Sequence, residues 1–500
     1  MPGIHEDPLQ PRSPLYIIQV NSANALPDHG GIATYNHELA DHLSRRGHAV
    51  LLLTYPALVR ATRPLSYQVR RSRAFDLSAL IRGGGGAADL LRALPVKIPA
   101  MAVEILRTLR PLSRSPGNRV LWCINWWPEA MAAWLVSRVL GVPYVVTAHG
   151  REAVVSPGAR RHAVYREVFN RAVRVFAVSR HTAGLLAQCG IRRENIRVIP
   201  NGVSAELFRR GPRDAGPTED AAILDQFHAL RTSQPRDAGP TGDAAILDQF
   251  HALQRSQPPD AEPAGDAAIL DQFHALQSSQ PRDSEPAGDA AICAPRPGDR
   301  FGLLTLARLS PRKGHLTVLE AVHRLQGRIP GLRYVIAGDG PQRDRLEARA
   351  GELGIREQVR FTGDVTETEK AALLHDCDLL VLPNQDLPLP GGGIDTEGFG
   401  IVFLEAAACG KPVIGGRAGG VPEAVLDGRT GLLVDPESPG DLAEAIYRLW
   451  SDRDFAAALG RAARARAERE FTWQRIAARY ERELRSVVSG VHGKPPGPTA

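Results

Sequence analysis

Short aliphatic and β-branched runs alternate with longer stretches whose apolar positions recur at helical spacing, and this pattern occurs twice along the chain. In the first half, 15–20, 48–55, 120–125, 143–148, 173–179 and 196–200 read as strands and 30–46 as a helix. After residue 299 the pattern restarts, with strands predicted at 301–307, 333–337, 359–362, 379–383, 412–415 and 431–434. Runs that are apolar throughout mark strands buried on both faces, so each half predicts a parallel sheet covered by helices. Two successive doubly wound α/β domains follow, at 15–211 and 299–470, with ligand sites expected at the carboxyl ends of their strands.

Between the two halves the pattern fails. Near-identical units recur every 23 residues, beginning at Pro212, Pro235, Pro258 and Pro281, and three of them carry Ala-Ala-Ile-Leu-Asp-Gln-Phe-His-Ala-Leu. Each unit offers one short helix flanked by Pro, Gly, Asp and Ser, too little apolar surface to stack on its neighbours. Segment 212–298 therefore reads as a duplicated spacer, and its recurrent His228, His251 and His274 as copies rather than metal ligands. The polar ends, 1–14 and 491–500, read as disordered.

The composition narrows the class. Hydrophobic content of 43% supports two sizeable cores, and a net charge of +6 over 500 residues is too diffuse to argue for nucleic acid. Five scattered cysteines without a CxxC pair argue for a reducing compartment and against a disulfide framework or structural zinc. No signal-peptide core or membrane-spanning run is evident, so the chain reads as cytoplasmic. Residues 57–119 hold twelve Lys or Arg against Asp76, Asp89 and Glu104, interleaved with apolar positions. Such a stretch can dock peripherally on anionic lipid at the inner face of the cell membrane, or form a solvated face near an anionic acceptor.

Glu397 and Glu405 bracket Glu397-Gly398-Phe399-Gly400-Ile401-Val402-Phe403-Leu404-Glu405. Read as a helix, eight steps span about 12 Å, and the N–H groups of Phe399, Gly400, Ile401 and Val402 would be unpaired at its start and face an anion. A nucleotide-diphosphate sugar has this layout, with hydroxyls at both ends and phosphates between. Gly30-Gly31 precedes the first helix, where glycines let backbone approach a phosphate, and a full GxGxxG is absent. Arg308 and Lys313 follow the first strand of the second domain and can neutralise a diphosphate. His149 ends the fourth strand of the first domain, where it could polarise a sugar hydroxyl or simply pack. Asp376-Cys377-Asp378 has the spacing of a metal-holding DxD, but it ends a predicted helix just before a buried strand, so capping accounts for it better.

In this order and spacing, these residues resemble the family 4 retaining glycosyltransferases of the GT-B fold. The resemblance extends through Pro200-Asn201-Gly202-Val203, Gly338-Asp339-Gly340-Pro341, Gly419-Gly420-Val421-Pro422-Glu423 and Phe471-Thr472-Trp473, and covers nearly everything outside the repeats. It implies that Glu405 binds the ribose, Glu397 the donor sugar hydroxyls, and Arg308 with Lys313 the diphosphate. It places Gly31 near the phosphates, His149 near the transferred sugar, and a closing helix, within 471–490, across the first domain. The implied reaction is hexosyl transfer with retention, from a donor of GDP-mannose or UDP-glucose type to a glycan, lipid-linked or small-molecule acceptor. No metal or other cofactor is implied, and no nucleic-acid partner. The competing readings are a sugar-nucleotide epimerase and a non-catalytic sugar-nucleotide binder on the same architecture.

Overall fold

The computed structural model describes residues 13–21, 31–54, 65–75, 87–110, 118–124, 126–150, 160–209, 300–389 and 393–490. Of the ends expected at 1–14 and 491–500, 1–12 and 491–500 lie outside them, as do the repeats at 212–298, Gly30 and parts of the basic stretch, whereas Ser13 and Pro14 are held, their carbonyls accepting from Arg485 and Asn118.

The first lobe runs β1 (Tyr16–Val20), α1 (Gly31–Arg45), β2 (Ala49–Thr54), β3 (Gln68–Arg71), α2 (Ala87–Leu109), β4 (Arg119–Cys123) and α3 (Met131–Leu140). It continues with β5 (Tyr144–Ala148), α4 (Arg160–Arg171), β6 (Arg174–Ala177), α5 (Arg180–Gln188), β7 (Ile196–Val198) and α6 (Ala205–Arg209). Its strands pair in parallel in the order β3-β2-β1-β4-β5-β6-β7, with Tyr16 in register with both Ala49 and Arg119. The second lobe holds β8 (Phe301–Leu306), α7 (His315–Arg324), β9 (Leu332–Ala337), α8 (Arg343–Glu352), β10 (Val359–Gly363), α9 (Glu367–Asp376) and β11 (Leu379–Leu382). After the small hairpin β12 (Leu387–Pro388) and β13 (Ile394–Asp395) come α10 (Ile401–Ala408), β14 (Val413–Gly416), α11 (Val421–Ala424), β15 (Leu432–Val434), α12 (Pro439–Ser451) and α13 (Arg453–Glu470). Its sheet order, β10-β9-β8-β11-β14-β15, repeats the order of the first lobe's leading strands, and in both sheets the order reverses beside the first strand. That reversal opens a crevice at the carboxyl edge, where loops leave in opposite directions. Both sheets belong to one compact unit.

Each predicted strand forms within one or two residues of its expected bounds. Sequence reading missed β3, whose Gln-Val-Arg-Arg carries one apolar residue because it lies at the exposed edge of the sheet, and the hairpin β12–β13.

The last helix, α14 (Trp473–Gly490), returns to the first lobe. Its apolar positions Trp473, Ile476, Ala477, Tyr480, Leu484, Val487 and Val488 recur at helical spacing and are all buried, packed with Ile17, Leu39 and Trp122. The Tyr35 hydroxyl donates to the Tyr480 hydroxyl at 2.6 Å, and Glu481 pairs with Arg46. The outgoing and returning chain run side by side: Val203 N–H donates to the Phe471 carbonyl at 2.8 Å. Gly202 is obligatory there, because a Cβ would stand 2.4 Å from the Trp473 ring. Trp473→Ala is expected to cost about 3–5 kcal/mol, read as a lower midpoint in urea unfolding.

Candidate functional site

The site grows from the carboxyl edge of the second sheet. The chain leaves β8 through Arg308 and turns at Pro311–Lys313 into α7. Gly314 at φ 70° permits the turn, since a Cβ there would lie 2.2 Å from the Pro383 carbonyl. This close approach brings the Lys313 ammonium to Glu397 at 2.5 Å, beside Arg312 Nη1 at 2.7 Å and Asn384 Nδ2 at 2.7 Å, all three donating to Glu397 Oε2. Arg312 also reaches Asp395 at 3.2 Å. Burial works to raise the Glu397 pKa, but the charges of Lys313 and Arg312 and their hydrogen bonds outweigh it and hold the carboxyl below the usual glutamate range. Burial pulls the Lys313 ammonium below the usual lysine value, with Glu397 opposing. Arg308 is exposed, and its side chain makes no hydrogen bond or ion pair among the described residues.

The two carboxylates do not share one helix. Residues 396–400 are non-helical, Gly400 sits at φ 89°, and α10 begins only at Ile401. The 12 Å helical span expected from sequence is therefore corrected: glycines at 398 and 400 break the helix before it reaches Glu397. Phe399 is buried against Phe471 and Gly400 is the cap, so the first-turn N–H groups are those of Ile401 and Val402 rather than the four expected.

Glu405, on the second turn of α10, is buried and accepts from Lys370 Nζ at 2.6 Å. Lys370 also pairs with Glu367 at 2.8 Å. Burial disfavours the Lys370 ammonium, yet Glu405 and Glu367 outweigh it and raise its pKa above the usual value. Burial, partly countered by Lys370, raises that of Glu367. Glu405 and Ile401 line one small pocket together with Thr34 and Glu38 of the first lobe and with Gly202, Phe208 and Trp473. Gly31 opens α1, the helix that carries Thr34.

Across the crevice His149 follows β5 directly. Its ring meets Tyr35 edge-on at 4.9 Å, and burial, opposed by a hydrogen bond with the Ile124 backbone, lowers its pKa to about 4, so the ring is neutral at physiological pH. The lobes touch at this point: a Cβ on Gly398 would stand 2.0 Å from the His149 carbonyl oxygen. Beside it the Glu423 carboxylate accepts the backbone N–H groups of Arg180 and His181 at 2.9 and 3.0 Å, and His181 Nε2 meets Thr396 Oγ1 at 3.2 Å.

The structure thus brings Lys313, Glu397 and His149 to one seam, with Ile401, Val402 and Glu405 beside it, and adds Arg312, Asn384, Lys370 and Glu423. Arg312 adjoins Lys313 in the same basic loop, a signal present in the sequence, whereas Asn384 follows β11 at a strand's carboxyl end and nothing in the sequence sets it apart. Asp378 lies at the opposite edge, where its carboxylate accepts the Gly302 N–H at 2.7 Å at the start of β8, consistent with a structural role for Asp376-Cys377-Asp378. Among the described residues no group of His, Cys, Asp or Glu has metal-holding geometry, and no helix is long and apolar enough to cross a membrane.

Residues 29–207 match the family described as Glycosyltransferase Family 4, and residues 294–466 the family described as Glycosyl transferases group 1. A GDP-mannose-dependent alpha-(1-6)-phosphatidylinositol monomannoside mannosyltransferase of Mycobacterium tuberculosis is 40% identical over 190 residues, 38% of this chain and 49% of the relative. The chain thus spans about half the length of the first curated relatives it matches. A D-inositol 3-phosphate glycosyltransferase of Corynebacterium jeikeium is 27% identical over 465 residues, 89% of each chain. In fold, an Anabaena protein crystallised with UDP and glucose superposes with a TM-score of 0.60 at 19% identity, over 94% of this chain and 100% of that one. With both matched segments on paired parallel sheets of this order, the chain belongs to the family 4 (group 1) glycosyltransferases of GT-B fold.

Proposed function

We propose that the protein moves a hexosyl group from a nucleotide-diphosphate sugar, GDP-mannose in the first instance and UDP-glucose as runner-up, to a hydroxyl of a glycan or lipid-linked acceptor, with retention and without a metal. The observation that carries this reading is Glu397, an ionised carboxylate fixed by Lys313, Arg312 and Asn384 at the strand edge and set against the His149 segment of the other lobe.

In this reading the donor lies across the seam. Lys313 has three ammonium donors and gives one to Glu397, so it can serve a phosphate with the others. Arg308 offers an exposed planar fork, and the N–H groups of Ile401 and Val402 point out of the α10 terminus. Glu405 takes the ribose diol and Glu397 the sugar hydroxyls. A carboxylate held by two cations and an amide is a weak base, so Glu397 orients the sugar and favours the positive charge that develops at the anomeric carbon, while a donor phosphate oxygen takes the acceptor proton on the same face. One nitrogen of the neutral His149 ring donates to the Ile124 backbone, so the other can accept one hydrogen bond from a sugar hydroxyl without adding charge.

GDP-mannose is favoured by the mycobacterial relative's dependence on it, and UDP-glucose by the UDP and glucose bound to the Anabaena protein. A lipid-linked acceptor agrees with the surface of the first lobe. Val96 and Val103 on α2 and Val139 and Leu140 on α3 are exposed beside Arg107, Arg110 and Arg138, a mixed apolar and basic face suited to peripheral contact with anionic membrane from the cytoplasmic side.

The test is nucleotide release from GDP-mannose and UDP-glucose, with and without EDTA, together with nucleotide binding by Glu405→Ala. Release is expected to be insensitive to EDTA, and Glu405→Ala to weaken nucleotide binding about 10- to 100-fold, the range for lost hydrogen bonds to a charged group. Loss of release in EDTA would end the metal-free reading, and unaltered binding by Glu405→Ala the ribose assignment. Binding without release would favour a non-catalytic binder, and isomerised donor an epimerase.

A further inference from the structure

We propose that Glu423 is a positioning residue for the transfer reaction: it ties the Glu397 segment to the first turn of α5 and thereby sets the register of the two lobes. The inference rests on the function proposed above and adds to it a residue outside the donor site.

Both Glu423 oxygens are used. Oε2 accepts from Arg180 N–H at 2.9 Å and Oε1 from His181 N–H at 3.0 Å, while Ser179 caps the same helix by accepting from Thr182 N–H at 3.0 Å. A carboxylate at a helix N-terminus also meets the favourable end of the helix dipole. Here, however, carboxylate and helix belong to different lobes, so the bond exists only when the lobes are together.

On its own side Glu423 is rigidly held. Arg466 of α13 donates from Nη2 to the Glu423 carbonyl and from Nη1 to the Ala424 carbonyl, both at 2.8 Å. The turn before it is fastened to the Glu397 segment, because Gly420 N–H donates to the Glu397 carbonyl at 2.8 Å. Cβ atoms at 419 and 420 would stand 2.5 Å from the Glu397 carbonyl and 2.1 Å from the Gly398 carbonyl. A second strand of the network runs parallel. Thr396 donates its single hydroxyl proton to Asp386 Oδ1 at 2.5 Å, so toward His181 it can only accept, which fixes the proton on His181 Nε2. Asp386 Oδ2 accepts from Gly419 N–H at 3.2 Å. The contacts that reach Arg180 and His181 from the second lobe, those of Glu423 and Thr396, therefore end on the two segments that surround Glu397, 396–398 and 419–423. Lobe closure and placement of the Glu397 carboxylate against His149 are one event.

Two variants cut the tie from opposite sides. Glu423→Gln removes the charge and one acceptor. Arg180→Pro removes one donor at the first helical position, where proline is tolerated, after a Ser179 already extended at φ −155° and ψ 163°. With GDP-mannose as donor, or UDP-glucose if that is the one turned over, each variant is expected to lower kcat about 10-fold, the order expected for a sub-ångström misplacement of reacting groups. Nucleotide binding, carried by the second lobe, should stay within about 3-fold, and the double variant should be no worse than the poorer single one. Unchanged kcat in both variants, a rise in kcat, or a loss of nucleotide binding in place of kcat would each overturn the proposal. X-ray scattering of the GDP-bound proteins reads the tie without turnover: both variants should have a larger radius of gyration than wild type, and equal radii would overturn it. A wild type that releases no nucleotide sinks the proposed reaction and leaves the scattering comparison to judge Glu423.

Discussion

Replacing Glu397 by glutamine is expected to lower turnover about 100- to 1000-fold, with nucleotide binding close to wild type. The amide keeps the shape and can still take a hydrogen bond from Lys313 or Asn384, but it lacks the charge that faces the anomeric carbon as positive charge develops there. Steady-state kinetics against nucleotide titration separates the two effects: the loss belongs in kcat, because the carboxylate's interaction strengthens only toward the transition state. A variant with unaltered kcat would remove Glu397 from the reaction. Alanine should do more damage. It leaves Arg312 with Asp395 alone and Lys313, its side chain 14% exposed, beside Arg312 without its Glu397 partner, and stranding a buried cation in this way costs about 3–5 kcal/mol. The pH dependence has a definite sign. The folded-state pKa of Glu397 is depressed, so its contribution to stability is present above the unfolded glutamate value and is lost as pH falls through the folded one. Wild type should therefore lose its stability advantage over Glu397→Gln below about pH 4. His149, with its pKa lowered to about 4, contributes no step in activity between pH 5.5 and pH 8.

The parts of this molecule governed by local pattern were legible in its sequence. Apolar runs located twelve of the thirteen strands in the two main sheets, and the family resemblance implied the closing helix that α14 forms. Glu397, Lys313 and His149 could be placed near one another because each follows a strand that must end at the same edge of its sheet. What stayed hidden depends on the meeting of distant segments. Nothing in Pro383-Asn384 or Val421-Pro422-Glu423 says that an amide will reach Glu397 or that a carboxylate will cap a helix more than two hundred residues earlier. Edge strand β3 escaped for the opposite reason: one apolar residue among two arginines and a glutamine carries no periodicity. The assumption of one continuous helix through Glu397 failed on the glycines, whose backbone freedom the sequence displayed but whose φ it could not supply.

Gly398→Ala should be nearly as damaging as Glu397→Gln, for a purely steric reason. The added methyl group would stand 2.0 Å from the His149 carbonyl oxygen and 2.8 Å from its carbon, both backbone atoms that cannot rotate aside. The lobes must then separate at this point by an ångström or more, which carries Glu397 away from the His149 side of the seam. Misplacement on that scale costs about 100-fold in rate. The donor's nucleotide contacts proposed for Glu405, Arg308 and Lys313 lie in the second lobe and are not displaced, so nucleotide affinity should change only a few-fold. Gly440→Ala is the matched control: its methyl group would meet only the Ser438 hydroxyl, at 3.9 Å, on an outer helix. Kinetics and nucleotide titration of the two alanine variants side by side decide the matter. If Gly398→Ala turns over like the control, contact between the lobes at His149 plays no part in the reacting state. If it loses nucleotide affinity in step with rate, the methyl group has disturbed the donor site itself rather than its closure.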